Sequence, residues 1–197
     1  MADFRSGDSI GTRIRLARRE RGYRTTAELA SAIPGGNVTE AILENIESGR
    51  KADISISQLL NIARGLNVPI SMLLAPIGKP DAQLDLANLS EDFTGMTVAE
   101  FDSWLSATSA SSYRPRLASE RADIAILSSL RELGTLRREL ERLHIVLDAD
   151  KASGDPDLIA SDADVEKRLD RITKEVADIA QLLTSAGLTG IAEAAES

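Results

Sequence analysis

Leucine-type side chains recur in the last third of the chain at intervals that leave little choice of fold. Leu133, Leu136, Leu140, Leu143 and Leu147 are spaced 3, 4, 3, 4, and Val165, Leu169, Ile172, Val176, Ile179 and Leu183 are spaced 4, 3, 4, 3, 4. A mean period of about 3.5 is that of a helix–helix seam. The region is therefore expected to form two long helices, one over about 117–147 and one running from 165 to a stop at Gly187. Gly134 weakens the first by roughly 1 kcal/mol relative to alanine. The segment between them, DADKASGDPDLIASDAD (148–164), is acidic, breaks the pattern and reads as a connector. The two helices can fold back as an antiparallel hairpin or pair with a second chain in a parallel coiled coil. Each stripe is one seam wide, and Leu130, Leu182 and Ala186 extend the apolar surface beyond it, so further cover is needed. Self-association into a homodimer through these seam residues is the preferred solution.

Aromatic residues make up only 3% of the chain, so any core rests on aliphatic side chains. That favours helices over a β-sandwich, and the expected class is all-α. The absence of cysteine excludes a disulfide framework, a thiolate metal cluster and a cysteine nucleophile, and fits a reducing compartment. The opening stretch, MADFRSGDSIGTRIRLARRERG, has no continuous apolar run, so neither a signal peptide nor a membrane span is expected and the cytoplasm is the default location.

The first 77 residues read as five short helices. Ile10, Ile14 and Ala17 give residues 9–21 an apolar face, and Gly22 stops the helix. Thr25 or Thr26 can cap a second helix, AELASAI, which ends at Pro34-Gly35-Gly36. Asn37 can cap a third, VTEAILENIESG, with Glu40 in the reciprocal position of a capping box. A fourth starts near Ser55 with Gln58 as its box partner, and a short fifth follows Pro69 and closes at Pro76.

Charge separates the halves. Residues 1–79 carry 11 Lys/Arg against 8 Asp/Glu, whereas residues 80–197 carry 12 against 23. The basic side is concentrated in Arg13, Arg15, Arg18, Arg19, Arg21 and Arg24. Basic residues clustered in one half of an acidic chain form an electrostatic footprint for nucleic acid.

Two short helices joined by a Gly-containing turn, the second with polar residues facing outward, are the unit that lays a helix into the major groove. In the third helix the apolar positions are Val38, Ile42, Leu43 and Ile46, which leaves Thr39, Glu40, Ala41, Glu44, Asn45 and Ser48 facing out. Asn45 can read adenine bidentately, Thr39 can donate or accept, and Ala41 can touch a thymine methyl. Arg13, Arg18 and Arg50 are candidate phosphate contacts.

The strings IRLARRERG, AELASAI, VTEAILENIESGR and ISISQLLNIARGLNVPISMLL, over about residues 10–77, resemble the phage-repressor and Cro-type helix-turn-helix family, also called the xenobiotic-response-element family. The resemblance implies a five-helix, lambda-repressor-like DNA-binding domain and a backbone contact at Thr25 or Thr26. It also implies base reading at Glu40, Ala41 and Asn45 with Thr39 at the helix start, backbone contacts from Arg50 and Lys51, and a largely structural Glu47. Two departures stand out. Pro34-Gly35-Gly36-Asn37 is longer than the usual turn, and Glu40 and Glu44 would face or flank a polyanion. A glutamate can accept from a cytosine amino group, but the arginines must then supply the phosphate attraction.

Beyond the head, residues 78–95 read as a polar linker and 96–187 as a helical, coiled-coil-like dimerisation or partner-binding module. Residues 188–197 read as a flexible tail. Within the module Thr97 caps VAEFDSWL with Glu100 in the box position, and Trp104 is expected to pack against another helix, with the wall of a ligand pocket as the alternative. Asp148 and Asp150 begin like a calcium loop, but Ala152, Ser153 and Ile159 replace the required ligands and glycine. His144 has no second histidine for zinc, and no base is available to activate a serine. No cofactor and no enzyme activity are expected.

The expectation from sequence is thus a cytoplasmic, nucleoid-associated transcriptional regulator, a dimeric repressor binding a double-stranded DNA operator, with the acidic half open to a protein partner. The alternatives are an antitoxin-type regulator that neutralises a partner, and an adaptor that keeps the helix-turn-helix fold without binding DNA.

Overall fold

The computed structural model describes residues 3–108, 113–153 and 156–191, with 156–163 as backbone only. Among these, all regular structure is helical apart from one isolated bridge, Gln83 to Thr97. The chain divides into two compact units, 1–113 and 114–197.

The first unit holds α1 (Ile10–Glu20), α2 (Thr26–Ala32), α3 (Glu40–Glu47), α4 (Ile56–Leu66), α5 (Ile70–Leu74) and α6 (Val98–Leu105). Local chemistry sets the starts. Ser9 accepts from Thr12 N, while Thr25 with Glu28 and Ser55 with Gln58 form complete capping boxes. Asn67 closes α4 in the left-handed region at φ 51°, which asparagine tolerates. The core is aliphatic: Ile14, Leu29, Leu43, Ile46, Ile62, Leu66 and Leu73 are each at most 1% exposed. Gly11 lets α1 lie directly against the end of α3, because any Cβ there would meet the Ile46 carbonyl.

The cap of α3 differs from the sequence expectation. Thr39 holds that place, accepting from Ile42 N at 3.3 Å. Asn37 instead binds α4: its side-chain oxygen accepts from Asn61 Nδ2 at 2.7 Å and its carbonyl accepts from Gln58 Nε2 at 3.1 Å. Glu40 is therefore the first residue of the helix and closes no box.

Residues 78–95 do not behave as a linker. Ile77, Ala82, Leu84, Leu86, Phe93 and Met96 pack around buried Ala75, Val98 and Phe101, a satellite core that joins the segment and α6 to the head. Trp104 contacts Phe93 edge-on at 5.3 Å and stacks on Phe101 at 6.2 Å between ring centroids. The head thus extends through α6, and residues 96–107 belong to it rather than to the second module.

The box that starts α6 is complete. Glu100 accepts from the backbone N–H and the hydroxyl of Thr97 at 2.8 and 2.9 Å, and Thr97 accepts from Glu100 N at 3.3 Å. These bonds hold the Glu100 carboxyl below the ordinary glutamate range. The contribution is present at neutral pH and is lost as pH falls through that lowered value. Thr97→Ala is expected to cost about 1 kcal/mol and Thr97→Ser far less. Thermal unfolding followed at Trp104 checks this, and equal melting of both variants would remove the cap from the account.

The second unit is a hairpin of α7 (Ala118–Ser153) and α8 (Pro156–Ser185). The expected connector is mostly helix: α7 runs on to Ser153, and Pro156 takes the first position of α8, where its missing N–H costs nothing. All the seam residues gather in one cluster within the chain. Leu133, Leu143, Leu147, Leu169, Ile172, Val176 and Leu183 are buried, with Leu136, Leu140, Val165 and Ile179 packed against them. The sequence expectation gave these residues to a dimer interface; their own hairpin uses them instead, since a period of about 3.5 serves either pairing. Of the tail expected at 188–197, Leu188 and Ile191 pack on this cluster, and 192–197 lies outside the described residues. No helix among the described residues is long and apolar enough to cross a membrane.

Candidate functional site

The outer surface of α3 and the start of α2 border one shallow recess of about 570 Å³, lined by Arg15, Arg18, Thr25, Thr26, Glu40, Glu44, Glu47, Ser48 and Arg50. It arises because α3 buries Leu43 and Ile46 and turns its polar side out. Thr39, Glu40, Ala41, Glu44 and Ser48 are exposed and Asn45 is half-buried. Thr25 is exposed as the cap of α2, and Thr26 is half-buried beside it.

Asn45 is not free of partners. Its side-chain oxygen accepts from Arg50 Nε at 2.9 Å, and its carbonyl accepts from Lys51 N at 2.9 Å. The loop after α3 is thereby folded back on the helix, placing exposed Arg50 and half-buried Lys51 at its end. Of the expected site residues, Thr25, Thr26, Glu40, Glu44 and Arg50 line this one recess, whereas Thr39, Ala41, Asn45 and Lys51 do not.

Two expected contacts are held largely by partners inside the head. Arg13 is 0% exposed. Its Nε donates to Leu73 O at 2.8 Å, Nη1 to Gly7 O and Asp85 at 2.8 Å each, and Nη2 to Leu74 O at 2.9 Å and Asp85 at 3.1 Å. Every face of the guanidinium is used inside the head, so Arg13 is a scaffold residue and not a phosphate contact. Arg18 is 4% exposed. It forms a two-bond fork with Glu47, at 2.7 and 2.8 Å, and donates to the carbonyls of Tyr23 and Arg24 at 3.0 and 2.8 Å. The Glu47 bond raises the pKa of Arg18 above its ordinary value and keeps it charged. Arg18 lines the recess with its guanidinium committed to these partners except for one Nη2 N–H. Both corrections have one cause: each arginine lies four residues from a buried one, Arg13 from Ala17 and Arg18 from Ile14, on the margin of the buried face.

Arg15 is the residue that sequence reasoning left out. It lies four residues after Gly11 and three before Arg18, on the side of α1 that meets α3, and it lines the recess with a buried Nε that has no hydrogen-bond partner. The Gly11-to-Ile46 approach is what aims this side of α1, and no sequence pattern displays that approach.

Since Glu47 is matched by Arg18, the charges left at the recess are Arg15 and Arg50 against Glu40 and Glu44. The added segment shifts the balance further: residues 80–113 contribute six carboxylates and no cation, so residues 1–113 hold 11 cations against 14 carboxylates. Exposed Arg19, Arg21 and Arg24 partly offset this locally. No group of metal-ligating side chains is assembled among the described residues. No protein-family model matches the chain, and neither curated proteins nor solved structures give a match.

Proposed function

We propose that this chain is a sequence-specific double-stranded DNA-binding regulator with a phage-repressor or Cro-type head, acting as a pair of copies on a symmetric operator. The observation that carries the reading is the exposed side of α3 set beside the start of α2. An α-helix with its side chains is about 10–12 Å across, and the major groove is about 12 Å wide. Thr39, Glu40, Ala41, Glu44 and Asn45 then face base edges, while Thr25, Thr26, Arg15, Arg50 and Lys51 border the phosphates. Glu40 and Glu44 would accept from cytosine amino groups, which makes them selective and poorly suited to non-specific adhesion. Repression follows from occupancy of a promoter and places the protein at the nucleoid.

Capture of genomic DNA by the purified full-length protein, followed by anisotropy titration of a captured site, tests this. Affinity is expected to fall steeply between about 50 and 200 mM salt as counterions are released. Asn45→Ala is expected to lose about 1–3 kcal/mol of discrimination at one base step. Arg15→Ala is expected to weaken all sequences alike. Because Arg50 bonds to Asn45, Asn45→Ala and Arg50→Ala should combine non-additively. Variants that bind captured and random DNA like the parent would show that the reading face is wrongly assigned.

A second reading, an antitoxin or adaptor that holds a basic protein partner, is favoured by exposed Glu40 and Glu44, which form no ion pair among the described residues. It predicts no captured DNA, and a co-purifying partner that is lost in Glu40→Gln/Glu44→Gln.

A further inference from the structure

The hairpin of α7 and α8 has two long sides, and they differ. On one, a smaller recess of about 520 Å³ is bridged by Glu139, which accepts from Arg168 of the opposite helix at 2.8 Å and pairs with Arg142 at 3.3 Å. On the other, a groove of about 1050 Å³ remains open. Its floor includes Leu140 and Val176 from the seam, and Ala177 and Ala180 keep the α8 wall low. Ile145 on the α7 wall is 64% exposed, an unusual place for a large aliphatic side chain beside an apolar groove. Arg138, Glu141 and Asp148 stand along the same wall, and none of them forms an ion pair among the described residues.

We infer that this groove receives a second copy of the chain, face to face, about a two-fold axis that runs beside α7, perpendicular to it, at the level of Leu143. Arg138 and Asp148 are ten residues apart, about 15 Å along a helix, with Leu143 midway between them. Turning one hairpin onto the other about that axis makes the two α7 helices antiparallel. Each Arg138 then comes level with the partner subunit's Asp148. Each Glu141 comes level with the partner subunit's Ile145, beside the partner subunit's His144. The small side chains at 177 and 180 leave room for the partner subunit's Ile145. A parallel pairing would set Arg138 against its own copy and Asp148 against its own copy, which like-charge repulsion opposes. Arg138 and Asp148 are therefore self-complementary under two-fold symmetry, as an isologous contact requires, while Glu141 gains no cation in this register. An unrelated partner has no need of that arrangement.

The inference rests on the regulator reading only for its purpose, the joining of two heads; the contact itself forms without DNA. Sedimentation of the full-length protein over a micromolar concentration series is the test. The wild type is expected to self-associate, and Ile145→Asp to raise the dissociation constant at least about tenfold, a change of about 1.4 kcal/mol, with helicity unchanged by circular dichroism. Arg138→Asp and Asp148→Arg should each weaken association, and the double reversal should restore it. A wild type that stays monomeric, or an Ile145→Asp protein that is helical and associates normally, overturns the inference. Single reversals that weaken association without rescue in the double variant overturn the two-fold register. If Ile145→Asp loses helicity, the charge-reversal series decides alone. A protein that self-associates as described yet captures no DNA leaves this surface standing and removes the regulator reading; the opposite pair of results does the reverse.

Discussion

Arg13→Met is expected to cost the head about 3–4 kcal/mol, the scale for removing one partner of a buried charge pair. The loss is not one of hydrophobic volume, because methionine fills most of the space of the arginine stem. It comes from the groups left behind. The carbonyls of Gly7, Leu73 and Leu74 lose their donor, and Asp85 loses its cation. The Asp85 side chain is 23% exposed and recovers part of its solvation, which keeps the estimate toward the lower end of that scale. Asp85→Asn is expected to cost less, about 1–2 kcal/mol, because the three carbonyl bonds survive. The two variants separate the tie to residues 79–107 from the tie between α1 and α5. Trp104 is the chain's single tryptophan and packs within that segment, so its emission reports loosening directly. Denaturant unfolding by fluorescence and by circular dichroism checks both. Equal midpoints for Arg13→Met and the wild type would mean that the buried guanidinium contributes no net stability.

Gly11→Ala is expected to destabilise the head by about 2–3 kcal/mol, the upper part of the range for overpacking. A methyl at this position meets the Ile46 carbonyl oxygen and lies 3.0 Å from the Ile46 carbonyl carbon and 3.3 Å from Glu47 Cα. All three are backbone atoms of α3, so no rotamer change relieves the contact and the two helices must separate. Alanine gains up to about 1 kcal/mol of helix propensity over glycine, which offsets only part of the cost. Gly134→Ala provides the contrast. Within α7 the added methyl would find nothing closer than Arg138 Nη1 at 3.7 Å, so the propensity gain should appear as stabilisation of the hairpin. Opposite signs for one chemical change at two helical glycines, read as shifts in unfolding midpoint, check the packing argument. A neutral Gly11→Ala would show that α1 and α3 are not in close contact in solution.

Much of this architecture was legible in the sequence, and the parts that were not share a physical reason. The capping boxes at Ser55 and Thr97 were readable because both partners lie within three residues of each other, whereas adjacent Thr25 and Thr26 left the cap of α2 open. The cap of α3 was not, because Asn37 and Thr39 are both competent caps and the choice is made by Gln58 and Asn61, more than twenty residues away. The seam of α7 and α8 was readable from its period, but the period carries no information on whether the partner helix belongs to the same chain. Residues 78–95 were misread because the alternation of Ala82, Leu84 and Leu86 is too short to stand as a strand, and the burial of these residues and Phe93 depends on a surface supplied by α5 and α6. At the candidate site, the outward residues of α3 followed from subtracting its apolar positions. The burial of Arg13 and Arg18 did not follow, because sequence displays charge and hides where the charge is kept.

The fork between Arg18 and Glu47 has a further implication for how this head can change over time. One guanidinium ties α1 to the last residue of α3 and to the turn that enters α2, so the angle of α3 is fixed from beneath, away from its exposed side. Positions 40, 41 and 44 can therefore be exchanged as a cassette while the frame and the Thr39 cap stay put, without refolding the domain.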